Sequence, residues 1–176
     1  MDTDRIRFAR WDDMDPITEI IRTEFGPRET NVRSWMEAVE ANLSLMLVYL
    51  IDGSVVGLGG LQFTAEDEII FHTDCVAPEK RGKGIGRALV MARIAMLDDE
   101  AAPIYAGVLA LEKNIPYYEK FGFSKTEESR HDPALAVSLA PMEREIFKKD
   151  IEEAEHFFET SSVTLALDEI PDEKLS

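Results

Sequence analysis

One juncture limits what this chain can fold into. An apolar run from Ile69 to Val76 is followed at once by Ala77-Pro78-Glu79-Lys80-Arg81-Gly82-Lys83-Gly84-Ile85-Gly86-Arg87-Ala88-Leu89. The run is short, partly β-branched and closed by a proline, which predicts a buried strand. Beyond the glycines, Ala88, Leu89, Val90, Ala92 and Ile94 to Leu97 carry the pattern of a largely buried helix. Gly82, Gly84 and Gly86 have no Cβ, so the backbone between strand and helix can curl and come close to a ligand. The N–H groups that open such a helix lack intrahelical partners and sit at the positive end of its dipole, worth about half a charge. Lys80, Arg81, Lys83 and Arg87 add full charges in a chain of net charge −16. This local concentration calls for an anion, most simply a phosphate or diphosphate.

Two common phosphate motifs do not fit. A dinucleotide fingerprint needs a glycine at position 89, which is Leu, and a Walker loop needs Ser or Thr after Lys83, where Gly84 stands. Arg81-Gly82-Lys83-Gly84-Ile85-Gly86 instead resembles the Arg/Gln-x-x-Gly-x-Gly/Ala signature of the GNAT superfamily of acyl-CoA-dependent N-acetyltransferases. Downstream, Tyr118-Glu119-Lys120-Phe121-Gly122-Phe123 resembles the Tyr-Glu-Lys-x-Gly-Phe end of that family's next helix. The resemblance covers residues 5 to 130 and is specific mainly between 70 and 123. It implies a mixed, mostly antiparallel α/β sheet with helices on both faces and a splayed central strand pair.

A length of 176 residues suits one domain with a real core, and no apolar run is long enough to span a membrane. The single cysteine, Cys75, excludes an internal disulfide and fits a reducing compartment. The acidic start, Met1-Asp2-Thr3-Asp4, does not look like a signal peptide, so a cytoplasmic location is expected. Strong acidity argues against a nucleic-acid or anionic-membrane partner; it suits cationic substrates, as it does a merely well-solvated surface. Monomer and homodimer both remain open. His131 and His156 have no partners at ligand spacing, so no metal site is expected.

The other elements follow from periodicity. Ile6 and Phe8 alternate with arginines as a first strand, and Ile17, Ile20, Ile21 and Phe25 line a helix that Gly26-Pro27 ends. Val32, Trp35, Met36, Val39 and Leu43 form the apolar stripe of a second helix. Asp52-Gly53-Ser54 predicts a hairpin between Leu45–Ile51 and Val55–Phe63. A strand is expected at Ile104–Leu109, a short helix at Glu112–Lys120 and a strand at Phe123–Arg130. The whole chain, 1–176, reads as a single domain with a helical insertion at 132–160, centred on a helix from Pro141 to Glu159, before a closing strand at 162–168. That insertion is either a lid on the acceptor pocket or a solvated helix covering the sheet.

The resemblance assigns roles. The backbone of Gly82, Lys83, Gly84, Ile85, Gly86 and Arg87 would hold the coenzyme A diphosphate, with Arg81, Lys83 and Arg87 beside it. Cys75 and Val76 would pair with the pantetheine arm, and the Val76 amide would donate to the oxyanion. Asn114 stands four residues before Tyr118, whereas many relatives place an asparagine seven before, where this chain has Leu111. It is taken as a cofactor contact. Tyr118 matches the tyrosine that protonates the leaving thiolate; a phenol of pKa about 10 can serve a thiol of about 8.5 only when positioned and desolvated.

Strict alternation along the 69–76 strand would put Ile70, His72, Asp74 and Val76 on one face. His72 could then act as base with Asp74 orienting it, Glu68 is a third candidate, and a structural histidine is the competing reading. The expected reaction is direct attack by a primary amine on acetyl-CoA in a ternary complex, the acceptor unspecified with a small cation favoured by charge. The alternative is a non-catalytic acyl-CoA-binding module or partner subunit.

Overall fold

The computed structural model describes residues 3–26, 29–41, 45–64, 68–133 and 137–167. The chain opens with Arg5–Phe8 (β1), which turns Ile6 and Phe8 inward. Met14–Phe25 (α1) buries Ile17, Ile20 and Ile21 at spacings of three and one, one stripe of the helix. Glu29–Ala41 (α2) adds Val32 and Val39 to the core. Met46–Ile51 (β2) and Ser54–Phe63 (β3) form the expected hairpin. Its turn residues Asp52 and Gly53 have φ of 49° and 76°, as a twist-matched tight turn requires. Ile69–Val76 (β4), Ile85–Ala95 (α3), Ile104–Leu111 (β5) and Ile115–Glu119 (α4) come next. Then come Ser124–Lys125 (β6), Arg130–Asp132 (β7), Val137–Ile146 (β8), Lys148–Thr160 (α5) and Thr164–Ala166 (β9). Leu43, the 65–67 turn and position 168 lie outside the described residues.

The strands form one sheet in the order β6-β8-β5-β4-β3-β2-β1-β9, with β7 also paired to β8. All pairings are antiparallel except β4 with β5 and β1 with β9. α1 and α2 cover one face through Ile17, Ile21, Val39, Val48, Leu58 and Cys75. α3, α4 and α5 cover the other through Phe71, Val90, Ile94, Tyr118, Met142 and Ile151. Among the described residues no helix is long and apolar enough to cross a membrane.

The C-terminal part corrects the expectation drawn from sequence. The segment 132–160 is not a helical insertion: Val137–Ile146 within it is β8, which pairs with β5 from Ile104↔Ile146 to Leu111↔Leu139. The run from Met142 is rich in good helix formers, but leaving β5 without a partner would strand a long edge, and tertiary pairing overrides propensity. Pro141 is tolerated because of where it points. Its carbonyl accepts the Thr126 N–H at 3.0 Å, so the donor it lacks faces the end of the two-residue β6 ladder. The helix begins only after Phe147, whose N–H is bound at 2.8 Å by the Asp150 carboxylate. The expected strand Phe123–Arg130 is two separate pieces, β6 and β7. The closing strand does not lie beside them: β9 pairs in parallel with β1 at the opposite edge.

A second correction concerns β4. Leu58 faces Cys75 and Gly60 faces His72, so Thr73 and Asp74 together oppose the single residue Gly59. This is a β-bulge, with Thr73 at φ 56°. The inserted residue breaks the alternation. His72 lies flat on Gly60, where a Cβ would come within 2.3 Å of its ring, while Asp74 lies against Gly59 on the other face. His72 and Asp74 are therefore on opposite sides of the sheet. His72 Nδ1 sits 3.0 Å from the Thr73 hydroxyl, and its buried Nε2 has no hydrogen-bond partner among the described residues.

Two outcomes follow from this packing. Ile151, 1% exposed, anchors α5; Ile151→Ala is expected to cost about 2–5 kcal/mol in urea unfolding, against about 0.5 or less for Glu152→Ala on the exposed side. Burial, followed by the nearby Arg93 charge, lowers the His72 pKa. The unfolded chain then binds the extra proton first, so stability falls as pH drops through about 6.5. His72→Gln should reduce the loss of stability between pH 7 and 5; an unchanged loss would show that this ring does not contribute.

Candidate functional site

β4 and β5 pair only over Ile69–Phe71 and Ala106–Val108, although β4 runs on to Val76 and β5 to Leu111. The strands part beyond that point, and the gap opens into a cleft of about 800 Å³. One end is walled by Lys80, Arg81, Gly82 and residues 84–87, the middle by Leu58, Asp74, Cys75 and Val76, and the far side by Lys113, Asn114, Tyr117 and Tyr118. Every residue expected to hold the cofactor lines this cleft except Lys83.

The glycine turn is built as its sequence suggests. Gly82 and Gly84 have φ of 74° and 80°, a region other residues rarely enter. Gly84 precedes α3 without any side-chain cap, and the first bond back to the turn is the Ala88 N–H to the Gly84 carbonyl at 3.0 Å. The amides of residues 85–87 thus open the helix without protein partners from a cap. Gly86 is required for a different reason: a Cβ there would lie 2.7 Å from the Tyr117 hydroxyl. Arg81 donates Nε to the Val76 carbonyl at 3.0 Å, which folds the turn back on the end of β4. Arg87 lies over the Phe157 ring of α5, 5.7 Å from its centroid. None of the α5 residues lines the cleft; α5 packs on the sheet and α3, which makes it a cover of the sheet rather than a lid.

At the middle of the cleft stands Asp74. Tyr118 donates its hydroxyl to Asp74 Oδ2, and Arg93 donates Nη2 to Asp74 Oδ1. Burial first, and the negative charge of Asp74 next, raise the Tyr118 pKa well above 10. Burial and the negative charges of Glu24 and Asp74 likewise push the Cys75 thiol up, so it is no nucleophile here. His72 does not line the cleft, and the His72–Asp74 pairing expected from alternation is absent because of the bulge. Glu68 is not among the lining residues either.

Sequence reasoning missed two residues. Glu24, at the end of α1, has a side chain only 8% exposed and is held in the cleft wall by Arg81 and by Lys113 Nζ, the latter at 2.9 Å. Arg93 is fully buried in the apolar run of α3. A lone charge in such a run is itself the signal, since it demands a buried partner.

Comparison with known proteins agrees with this geometry. Residues 42–125 match the acetyltransferase (GNAT) domain. No curated protein matches the chain in sequence. The fold is that of an N-acetyltransferase from Staphylococcus aureus Mu50, with 19% identity, 82% of this chain and 99% of that one covered, and a TM-score of 0.63. It is also that of Ard1 from Thermoplasma volcanium, with 18% identity, 83% and 99% covered, and a TM-score of 0.68. The PaiA N-acetyltransferase from Thermoplasma acidophilum, solved in complex with coenzyme A, gives 18% identity, 82% and 100% covered, and a TM-score of 0.64. The GNAT-domain match spans the glycine turn and Tyr118, and around them the chain has the fold of these N-acetyltransferases.

Proposed function

We propose that the chain moves an acetyl group from acetyl-CoA to a primary amine by direct attack in a ternary complex. The observation that carries this reading is a single cleft that runs from uncapped helix amides to a buried tyrosine, between two strands that stop pairing. The coenzyme A bound to the Thermoplasma acidophilum relative supports the same donor here. The amides of residues 84–87 receive the diphosphate, with Arg81 and Arg87 beside them. The pantetheine arm lies in the gap, where the unpaired edge of β4 at Cys75 and Val76 offers it strand-like hydrogen bonds. The Val76 amide donates to the developing oxyanion, and Asn114 borders the arm on the far wall. Tyr118 supplies the proton that the thiolate takes. The net charge of −16 favours a cationic amine as acceptor.

Calorimetry with acetyl-CoA and free-thiol release with a panel of amines test this reading. Binding followed by release with at least one amine is expected; binding without release for any would favour a non-catalytic acyl-CoA module. Tyr118→Phe should lower turnover about 100-fold, within the range for general acid catalysis, with acetyl-CoA affinity preserved. Glu24→Gln removes a negative charge that competes with the diphosphate for Arg81 and Lys113. It should tighten coenzyme A binding roughly fivefold at low salt, equal to about 1 kcal/mol, with the gain shrinking as salt rises.

A further inference from the structure

Four features of the chain converge on one carboxylate. The bulge at Thr73 turns Asp74 to the α3 face of the sheet. Gly59 makes room for it: a Cβ there would lie 2.8 Å from Asp74 Oδ1 and 3.0 Å from Arg93 Cζ. Arg93 is tied down on every side. It donates Nε to the Leu89 carbonyl at 3.1 Å, Nη1 to the Gly60 carbonyl at 3.0 Å and Nη2 to Asp74, and lies 4.4 Å above the Phe71 ring. Tyr118 completes the set with its hydroxyl on Asp74 Oδ2. Asp74 and Tyr118 line the cleft, whereas Arg93 stands behind them.

A tyrosine that acted only as an acid would be poorly served by this arrangement. Its proton already points at a carboxylate, and its raised pKa makes tyrosinate costly. A merely structural ion pair, for its part, needs no cleft-lining hydroxyl on its second oxygen. The arrangement suits a group that hands the hydroxyl a new proton as the old one leaves.

We propose that Asp74 and Tyr118 form a proton relay from the attacking nitrogen to the departing sulfur, and that Arg93 is the positioning residue that holds Asp74 in line. The proposal rests on the acetyl-transfer reading above. The amine lone pair forms the C–N bond at the thioester carbonyl, and the carbonyl π pair moves to oxygen. The nitrogen, now cationic, gives a proton to the Asp74 carboxylate. As the oxyanion collapses, the C–S bond breaks with its electron pair on sulfur, and the Tyr118 O–H supplies the sulfur with a proton. The proton on Asp74 passes to the Tyr118 oxygen. Amide and thiol leave, both side chains are as they began, and no proton is drawn from solvent. Coupling the two transfers avoids a free tyrosinate and a lasting neutral Asp74 beside Arg93.

The test uses the full chain with acetyl-CoA and hydroxylamine, a small amine that is largely unprotonated at neutral pH, as probe. Asp74→Asn and Tyr118→Phe should each lower thiol release about 100-fold, with acetyl-CoA affinity within about threefold of wild type. The double variant should fall no more than about threefold below the worse single one, because one relay cannot be broken twice. A multiplicative loss of about 10⁴-fold would overturn the proposal. Should Asp74→Asn not fold, a proton inventory in mixed light and heavy water on the wild-type protein decides. A curved dependence, from two protons in flight, is expected, and a linear one overturns the relay. For Arg93, Arg93→Lys should lower turnover about tenfold with acetyl-CoA affinity within about threefold of wild type, and should add little to the loss already seen in Asp74→Asn. Unchanged turnover with only a lower melting temperature would reduce Arg93 to a structural role. Wild-type protein that binds acetyl-CoA but releases no thiol with hydroxylamine or with any amine of the panel would instead defeat the acetyl-transfer reading itself, and the relay with it.

Discussion

The site depends on two parallel strands that stop pairing. After Phe71 and Val108, β4 and β5 each have backbone donors and acceptors facing a gap rather than each other. Such groups require partners, and the Val76 carbonyl finds one in Arg81 Nε. A linear ligand with amide groups meets that requirement as an added strand would, which is why the gap runs toward a turn built for phosphate. The bulge at Thr73 lies just beyond the last paired residue of β4. It therefore sets what each wall of the gap displays: Asp74 toward Tyr118 and Arg93, Cys75 toward α1.

Charge is arranged against the background of the chain. A protein of net charge −16 repels anions at a distance, yet Lys80, Arg81, Arg87 and Lys113 gather at one cleft. Glu24 pairs with two of them, Arg81 and Lys113. Deeper in, the fully buried Arg93 guanidinium is matched by Asp74, as a buried charge must be if the domain is to remain stable. Asp74 itself lines the cleft, and Tyr118 beside it binds its second oxygen. The requirement of burial and the demands of proton transfer are met by the same three side chains.

Much of this was legible in the sequence, and what was hidden has physical causes. Gly82 and Gly84 announce the turn because few other residues can occupy such backbone, and Tyr118 stands in a recognisable setting just before Gly122. The hairpin at Asp52-Gly53 and the splay of β4 from β5 were expected and are present. The His72–Asp74 dyad was not found, because alternation counts residues and a bulge adds one without a mark in composition. Strand β8 was read as helix because Met142 to Glu145 are good helix formers, and only the unfilled edge of β5 makes them extended. The role of α5 was also beyond sequence, since an acidic amphipathic helix looks the same whether it shields a sheet or closes a pocket. Glu24 and Arg93 acquire meaning only from partners distant in sequence, Arg81 and Lys113 for one and Asp74 for the other.

The central claim is that the parted strands and the glycine turn form one continuous seat for coenzyme A. Amide chemical shifts of nitrogen-15-labelled protein, followed as coenzyme A is added, test it most directly. The account predicts the largest changes at residues 82–87 together with Cys75 and Val76, at saturable ligand concentrations, while the amides of α5 beyond Phe158 stay still. Saturable binding whose changes fall on another surface, with the turn and the end of β4 unmoved, would contradict it.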